Sequence, residues 1–172
     1  MKIGLIGAGR LGLCLALLME EAGYDVIASD VRVDYIDSLN QKVVDTTEPE
    51  VKELLKNSRN IYFTNSNLEV IDEADIIFTL VRTPSLDNGR YDVSDVDDVI
   101  SDVLKYAWIN PNFTHKSIVI GCTTNPGDCD FFENRLSETG FDLYYNPEFI
   151  AQGSIVNDLR RSDMVLIGGS GR

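Results

Sequence analysis

The chain has 172 residues, a formal charge of −13 and 44% apolar residues. That length supports one full hydrophobic core and at most a further fragment. The acidic balance argues against a nucleic-acid partner, which demands clustered Lys and Arg, but not against a small phosphorylated ligand held by main-chain N–H groups. No apolar run approaches the ~20 residues that cross a bilayer, so no membrane association is expected. Met1-Lys2-Ile3 leads straight into a strand rather than a cleaved signal, and the simplest compartment is cytoplasmic. Cys14, Cys122 and Cys129 are too scattered for a disulfide framework. With His115 the single histidine, no His-rich metal site is expected, and no tight acidic loop suits magnesium.

In chain order, residues 2–6 form a short apolar strand, residues 11–21 a largely buried helix closed by Gly23, and residues 25–29 a second strand ending at Asp30. This βαβ unit implies a parallel sheet. A helix is predicted over 33–39, another with Pro49 in its first turn running to Leu55, and a strand over 61–64. Asn67 is expected to cap a short helix to Glu73, followed by a strand over 76–81 and a Pro-, Gly- and Asn-rich loop over 83–92. Val96, Val99, Ile100, Val103, Leu104 and Ala107 recur at helical spacing and mark an amphipathic helix over 93–108. A strand over 117–122, a tight loop to Gly127, a helix over 130–138, a strand over 143–145, a loop from Asn146 and a strand over 164–167 complete the pattern. Gly168-Gly169-Ser170-Gly171 ends the chain without a closing helix. Five or six strands alternating with helices predict an α/β, Rossmann-type doubly wound sheet, with ligands outside the strands' C-terminal ends.

Gly7-Ala8-Gly9-Arg10-Leu11-Gly12 fits G-x-G-x-x-G between the first strand and the first helix. Gly7 permits the turn, Gly9 leaves room for a pyrophosphate, and Gly12 allows close helix packing. Free N–H groups and the helix dipole stabilise the anion. Asp30 ends the next strand, where a carboxylate accepts hydrogen bonds from the adenosine ribose and repels a 2′-phosphate, favouring NAD over NADP. Arg32 works against that preference, since arginines accommodate the extra phosphate.

Four further segments carry a family resemblance. Val81-Arg82-Thr83-Pro84-Ser85 resembles V-P-T-P, and Cys122-Thr123-Thr124-Asn125-Pro126-Gly127 resembles S-T-V-P-P-G. Tyr145-Asn146-Pro147-Glu148-Phe149-Ile150-Ala151-Gln152-Gly153-Ser154 is similar to Y-N-P-E-F-L-R-E-G-S, and the stretch from Asp158 to Gly168 resembles D-[FL]…x-P-D-R-[VI]-[VI]-I-G. These are segments of UDP-glucose 6-dehydrogenase and its nucleotide-sugar dehydrogenase relatives, in matching order across nearly the whole chain.

The resemblance implies oxidation of the C6 hydroxymethyl of a nucleotide sugar to a carboxylate, with two hydrides passed to two NAD molecules. It implies cofactor contacts from Gly7, Gly9, Arg10, Leu11, Gly12, Asp30 and Arg32, with Thr83 near the nicotinamide half. Thr123 would order a catalytic water and also touch the cofactor; Glu148, Phe149, Ile150, Ala151 and Gln152 would line the sugar-nucleotide side, with Glu148 supporting catalysis. Gln152 departs from the family's glutamate, and a carboxamide cannot take up a proton at neutral pH. Either hydrolysis uses another base, or a different step is favoured, or activity is lost. Asn125 and Arg82 in place of proline are milder changes, and Arg82 is read as solvated. The family's cysteine nucleophile lies further along, so the chain is expected to be an N-terminal cofactor domain: inactive alone, possible as a monomer, from a homodimeric parent.

The other candidates have plainer readings. His115 is an ordinary surface residue, and Asp92, Asp95, Asp97, Asp98 and Asp102 form a solvated, partly capping face. Cys14 is core, nothing near Cys129 depresses its thiol, and Trp108 is expected to be exposed. Two other functions stay open: an NAD-dependent dehydrogenase of a hydroxy acid or sugar phosphate, and a non-catalytic nucleotide-binding module.

Overall fold

The computed structural model describes residues 1–169. Its seven-stranded sheet has the order β3-β2-β1-β4-β5-β6-β7. The parallel strands are β1 (Lys2–Ile6), β2 (Asp25–Ser29), β3 (Ile61–Thr64), β4 (Ile76–Thr79), β5 (Lys116–Ile120) and β6 (Phe141–Tyr145), and β7 (Gly168–Gly169) joins β6 antiparallel. Strand order reverses at β1, whose neighbours are β2 and β4, and a crevice for ligands opens at the carboxyl ends of such a pair.

Both faces of the sheet are covered, which is why its central strands are apolar on successive residues rather than on alternate ones. Ile3 and Leu5 face a core shared with α1 (Arg10–Glu21), α2 (Val33–Asn40), α3 (Val51–Asn57) and α7 (Ile155–Arg160). Ile6, Ile77 and Ile118 face the opposite core, closed by α4 (Asn67–Glu73), α5 (Ser94–Ile109) and α6 (Asp128–Leu136). This is the doubly wound α/β arrangement that the strand and helix alternation predicts. Helix α1 ends as expected at Gly23, whose φ of +96° lets its N–H reach Glu20 O and Tyr24 N–H reach Met19 O.

Several elements differ from expectation. Pro49 lies in the turn before α3, because Glu50 adopts a left-handed φ of +68° as the N-cap and helical geometry starts only at Val51. Ser66, not Asn67, caps α4 by accepting from Glu69 N–H at 3.3 Å. Asn67 is instead the first helical residue, accepting from Ser29 Oγ and donating to Asp102. Strands β4 and β5 stop at Thr79 and Ile120, so Val81 and Cys122 already belong to loops, while α6 begins earlier, at Asp128. Residues 164–167 are exposed and form no strand; the ladder to β6 begins only at Gly168. Helix α7 was not anticipated: six residues are too few to show a period, and Ile155 and Val156 are buried by packing on α1. Of the Gly-rich tail, Ser170 and Gly171 lie outside the described residues. Among the described residues, no helix is long and apolar enough to cross a membrane.

Candidate functional site

The turn after β1 is shaped by three glycines with three different physical roles. Gly7 has φ +100°, and a Cβ there would stand 2.5 Å from Leu80 O, where the loop after β4 passes. Its N–H and that of Ala8 both donate to Ser29 O, tying the turn to the end of β2. A Cβ on Gly12 would lie 2.0 Å from Gly7 O, so only glycine lets the first helical turn settle against the loop. Around Gly9, by contrast, a Cβ would meet nothing within 4 Å. The first intrahelical bond of α1 runs from Leu13 N–H to Gly9 O, leaving the N–H groups of Arg10, Leu11 and Gly12 without helical acceptors. No side chain caps this end and no acid stands in the first turn. The positive end of the helix dipole therefore faces open space, a setting that stabilises a bound anion.

Asp30 follows β2, with its N–H bonded to Thr64 O. Its carboxylate takes a two-pronged ion pair from Arg32, Nε to Oδ1 and Nη2 to Oδ2, both 2.8 Å, and the Arg32 N–H adds a third bond to Oδ1. Burial pushes the carboxyl up, but the hydrogen bonds and charge of Arg32 outweigh it and hold Asp30 below its ordinary value. The guanidinium also lies 4.1 Å over the Tyr35 ring. A cavity of about 390 Å³ extends from Arg32 to the start of α1, lined among others by Arg10, Tyr35, Asp45, Thr46 and Thr47. Spacing alone places Asp30; it does not disclose that Arg32 already holds the carboxylate.

The loops after β4 and β5 share the same edge of the sheet. Half-buried Thr83 and exposed Thr123 stand on them, and among the described residues neither is hydrogen-bonded to the glycine loop. Arg82 is exposed and paired with Asp95 at 3.0 Å. Asn125 proves more than a change in loop stiffness: it is buried, accepts from Tyr91 N–H at 2.8 Å, and donates to Tyr91 O and Asp128. It thereby fastens the 83–92 loop to the loop carrying Thr123. Burial pushes the thiols of Cys14 and Cys122 up to about 12 and raises that of Cys129, so all three are protonated at neutral pH.

The segment after β6 folds back over α1. Gln152 Oε1 accepts from Arg10 Nη1 at 2.8 Å, joining the motif with the family departure to the glycine loop. Ile150 packs against the α1 core and Phe149 is exposed. Ala151 donates its N–H to Asp158. Glu148 lines a separate cavity of about 430 Å³ against Leu15, Leu18 and Met19, and burial raises its carboxyl. Sequence reasoning missed Glu48, which is only 4% exposed and accepts from Gly153 N–H at 2.7 Å and Ile155 N–H at 3.3 Å. Arg160 closes the far end of α7 by forking onto Glu21 and Glu50. No local signal marks Glu48, because its partners lie more than a hundred residues away.

Elsewhere the acids before and on α5 are engaged structurally: Asp92 accepts from Ser94 N–H, Asp97 pairs with Arg135, and Asp102 accepts from Asn67. His115, just before β5 and so at the opposite edge of the sheet, is exposed and meets Asp142 at 2.7 Å. Trp108 is exposed, as expected. Among the described residues, no group of three or more His, Cys, Asp or Glu stands where it could hold a metal ion.

Residues 1–172 match the profile of the UDP-glucose/GDP-mannose dehydrogenase family, NAD binding domain. The chain is 34% identical over 173 residues to a UDP-glucose 6-dehydrogenase of Rickettsia conorii, covering 98% of this chain and 39% of that protein. Its fold is similar to that of a GDP-mannose dehydrogenase from Pseudomonas aeruginosa, with TM-score 0.88, 25% identity, and 98% of this chain and 41% of the other covered. A UDP-glucose dehydrogenase from Pyrobaculum islandicum shares the fold with TM-score 0.89 at 24% identity, over 99% and 41% of the two chains. The chain thus spans about two-fifths of the length of these relatives. With a glycine turn open to an anion at the switch point of the sheet, the chain belongs to the UDP-glucose/GDP-mannose dehydrogenase family and corresponds to its NAD binding domain.

Proposed function

We propose that this chain binds NAD, in preference to NADP, as the cofactor half of a nucleotide-sugar 6-dehydrogenase. The observation that carries the reading is the empty flank of Gly9 in front of unpaired helix amides, one strand away from an ionised Asp30. The amides of Arg10, Leu11 and Gly12 hold the pyrophosphate. Asp30 receives the adenosine ribose: each carboxylate oxygen has two lone pairs, and Oδ2 spends one on Arg32. The same charge disfavours a 2′-phosphate, and the guanidinium that would welcome one is already neutralised.

Bound NAD supplies a hydride acceptor. Thr83 would face the nicotinamide half, and Thr123 would order the water that hydrolyses C6 of the nucleotide sugar once it is oxidised. Glu148 to Ala151 line the sugar side, where burial raises the carboxyl of Glu148. The chain by itself does not carry UDP-glucose through to the uronate, because burial raises the thiols of Cys14, Cys122 and Cys129 and none is activated for the second oxidation. The whole enzyme acts as a cytoplasmic homodimer converting UDP-glucose, two NAD and water to UDP-glucuronate, and this chain alone is a monomer. Gln152 favours a second reading, a nucleotide-binding module without catalysis, since it cannot take up a proton. Isothermal titration of NAD into the purified chain tests the common claim. Saturable one-to-one binding is expected, and heats no larger than dilution would overturn it.

A further inference from the structure

We infer that the Arg10 side chain is a second, cationic ligand for the cofactor pyrophosphate, and that Gln152 is the positioning residue that holds it there without cancelling its charge. The inference rests on the NAD reading above and assigns Gln152 to the phosphate side of the cleft rather than to proton transfer.

The two guanidiniums lining the 390 Å³ cavity differ in kind. Arg32 is committed to Asp30 through two bonds of 2.8 Å, so that pair brings no net charge to a ligand. Arg10 bonds instead to a neutral amide oxygen, and among the described residues it belongs to no ion pair. Asp45 also lines the cavity, leaving Arg10 as the cation whose nearest bonded neighbour carries no charge. Arg10 is the first residue of α1, so its own N–H belongs to the group that faces the anion. The cavity runs from there to Arg32, the partner of the Asp30 carboxylate, and a dinucleotide with its ribose at Asp30 would bring its phosphates towards Arg10.

Gln152 is itself held in place. Gly153, the next residue, has φ +92° and donates its N–H to the buried Glu48 carboxylate. Ala151, the residue before, donates to Asp158 at 3.0 Å. The amide oxygen thus reaches Arg10 from a backbone pinned on both sides. A carboxylate at this position would pair with Arg10 and withdraw its charge from the phosphates. Glutamine preserves the bond and leaves the charge available.

The test is the affinity of the purified chain for NAD and for ADP-ribose, which keeps the pyrophosphate and lacks nicotinamide, in wild type, Arg10→Met, Gln152→Glu and the double variant. Far-UV circular dichroism and melting temperature check folding, which both side chains, at the surface, should leave intact. Arg10→Met is expected to weaken both ligands about tenfold, and Gln152→Glu, which restores a carboxylate, about fivefold. Added salt should weaken wild type more than either variant. The double variant should bind no worse than Arg10→Met, because the carboxylate then has no guanidinium to neutralise. If Gln152→Glu binds ADP-ribose as tightly as wild type, or the two losses add, the assignment fails while the NAD reading stands. If wild type binds neither ligand, the NAD reading itself fails.

Discussion

Glu48 and Gly153 are 105 residues apart in the chain, yet the buried carboxylate of one accepts the N–H of the other at 2.7 Å. That bond, with a second from Ile155 N–H, fixes the segment carrying Gln152 to the loop that lines the 390 Å³ cavity. Glu48→Ala leaves two N–H groups without their acceptor and is expected to cost about 2–3 kcal/mol. Glu48→Gln keeps an acceptor oxygen and should cost less. Urea unfolding of both variants checks this, and equal stability of Glu48→Ala and wild type would rule out the anchor.

The three glycines of the turn separate folding from binding. Gly9→Ala places its methyl in open space at an ordinary φ of −65°, so stability should fall by less than about 1 kcal/mol. The same methyl would intrude on the proposed pyrophosphate site, and NAD affinity should drop at least about tenfold, roughly the loss of one good polar contact. Gly12→Ala forces a Cβ onto Gly7 O and should cost about 3 kcal/mol or prevent folding. Melting curves and NAD titrations on the two variants should therefore diverge. A Gly9→Ala protein that binds NAD like wild type would remove the anion site from that flank.

Asp30 sets a pH-dependent contribution to stability with a definite sign. Its folded carboxyl is held below the ordinary value, so the stabilisation is present above that value and is lost as pH falls through the folded one. Asp30→Asn should therefore be less stable than wild type by about 1 kcal/mol at pH 7, and the gap should close under acid conditions, below the usual carboxylate range. Freed of its partner, Arg32 should also raise NADP affinity relative to NAD. A stability gap that persists unchanged at low pH would contradict the ion pair as its cause.

The alternation of strands and helices was legible because both covered faces of the sheet leave dense apolar blocks, and because Gly7, Gly9, Gly12 and Asp30 form a signature within one βαβ unit. What stayed hidden depends on partners distant in sequence. Helix α7 is held by Glu48 and Arg160 rather than by its own period, and β7 is two glycines paired to Tyr144 and Tyr145. Residues 164–167 read as a strand by composition, yet among the described residues no strand pairs with them. Asn125 passed for a loop substitution because its role lies in bonds to Tyr91, across a gap that no local pattern reports. The link from Arg10 to Gln152 was invisible for the same reason: each belongs to a separate motif.

The cysteines bear on turnover. Burial pushes Cys14 and Cys122 up to about 12, which leaves little thiolate at neutral pH to attack an aldehyde intermediate. Incubation of the purified chain with UDP-glucose and NAD should produce no UDP-glucuronate. Formation of the uronate would show that a group within these 172 residues supplies the missing chemistry.

The proposed pyrophosphate site rests on main-chain amides at the start of α1. An amide-resolved NMR titration with NAD reads them one by one. The signals of Arg10, Leu11 and Gly12 should shift first and furthest, saturating together with that of Asp30. Saturable shifts confined to other residues, with those amides unmoved, would contradict it.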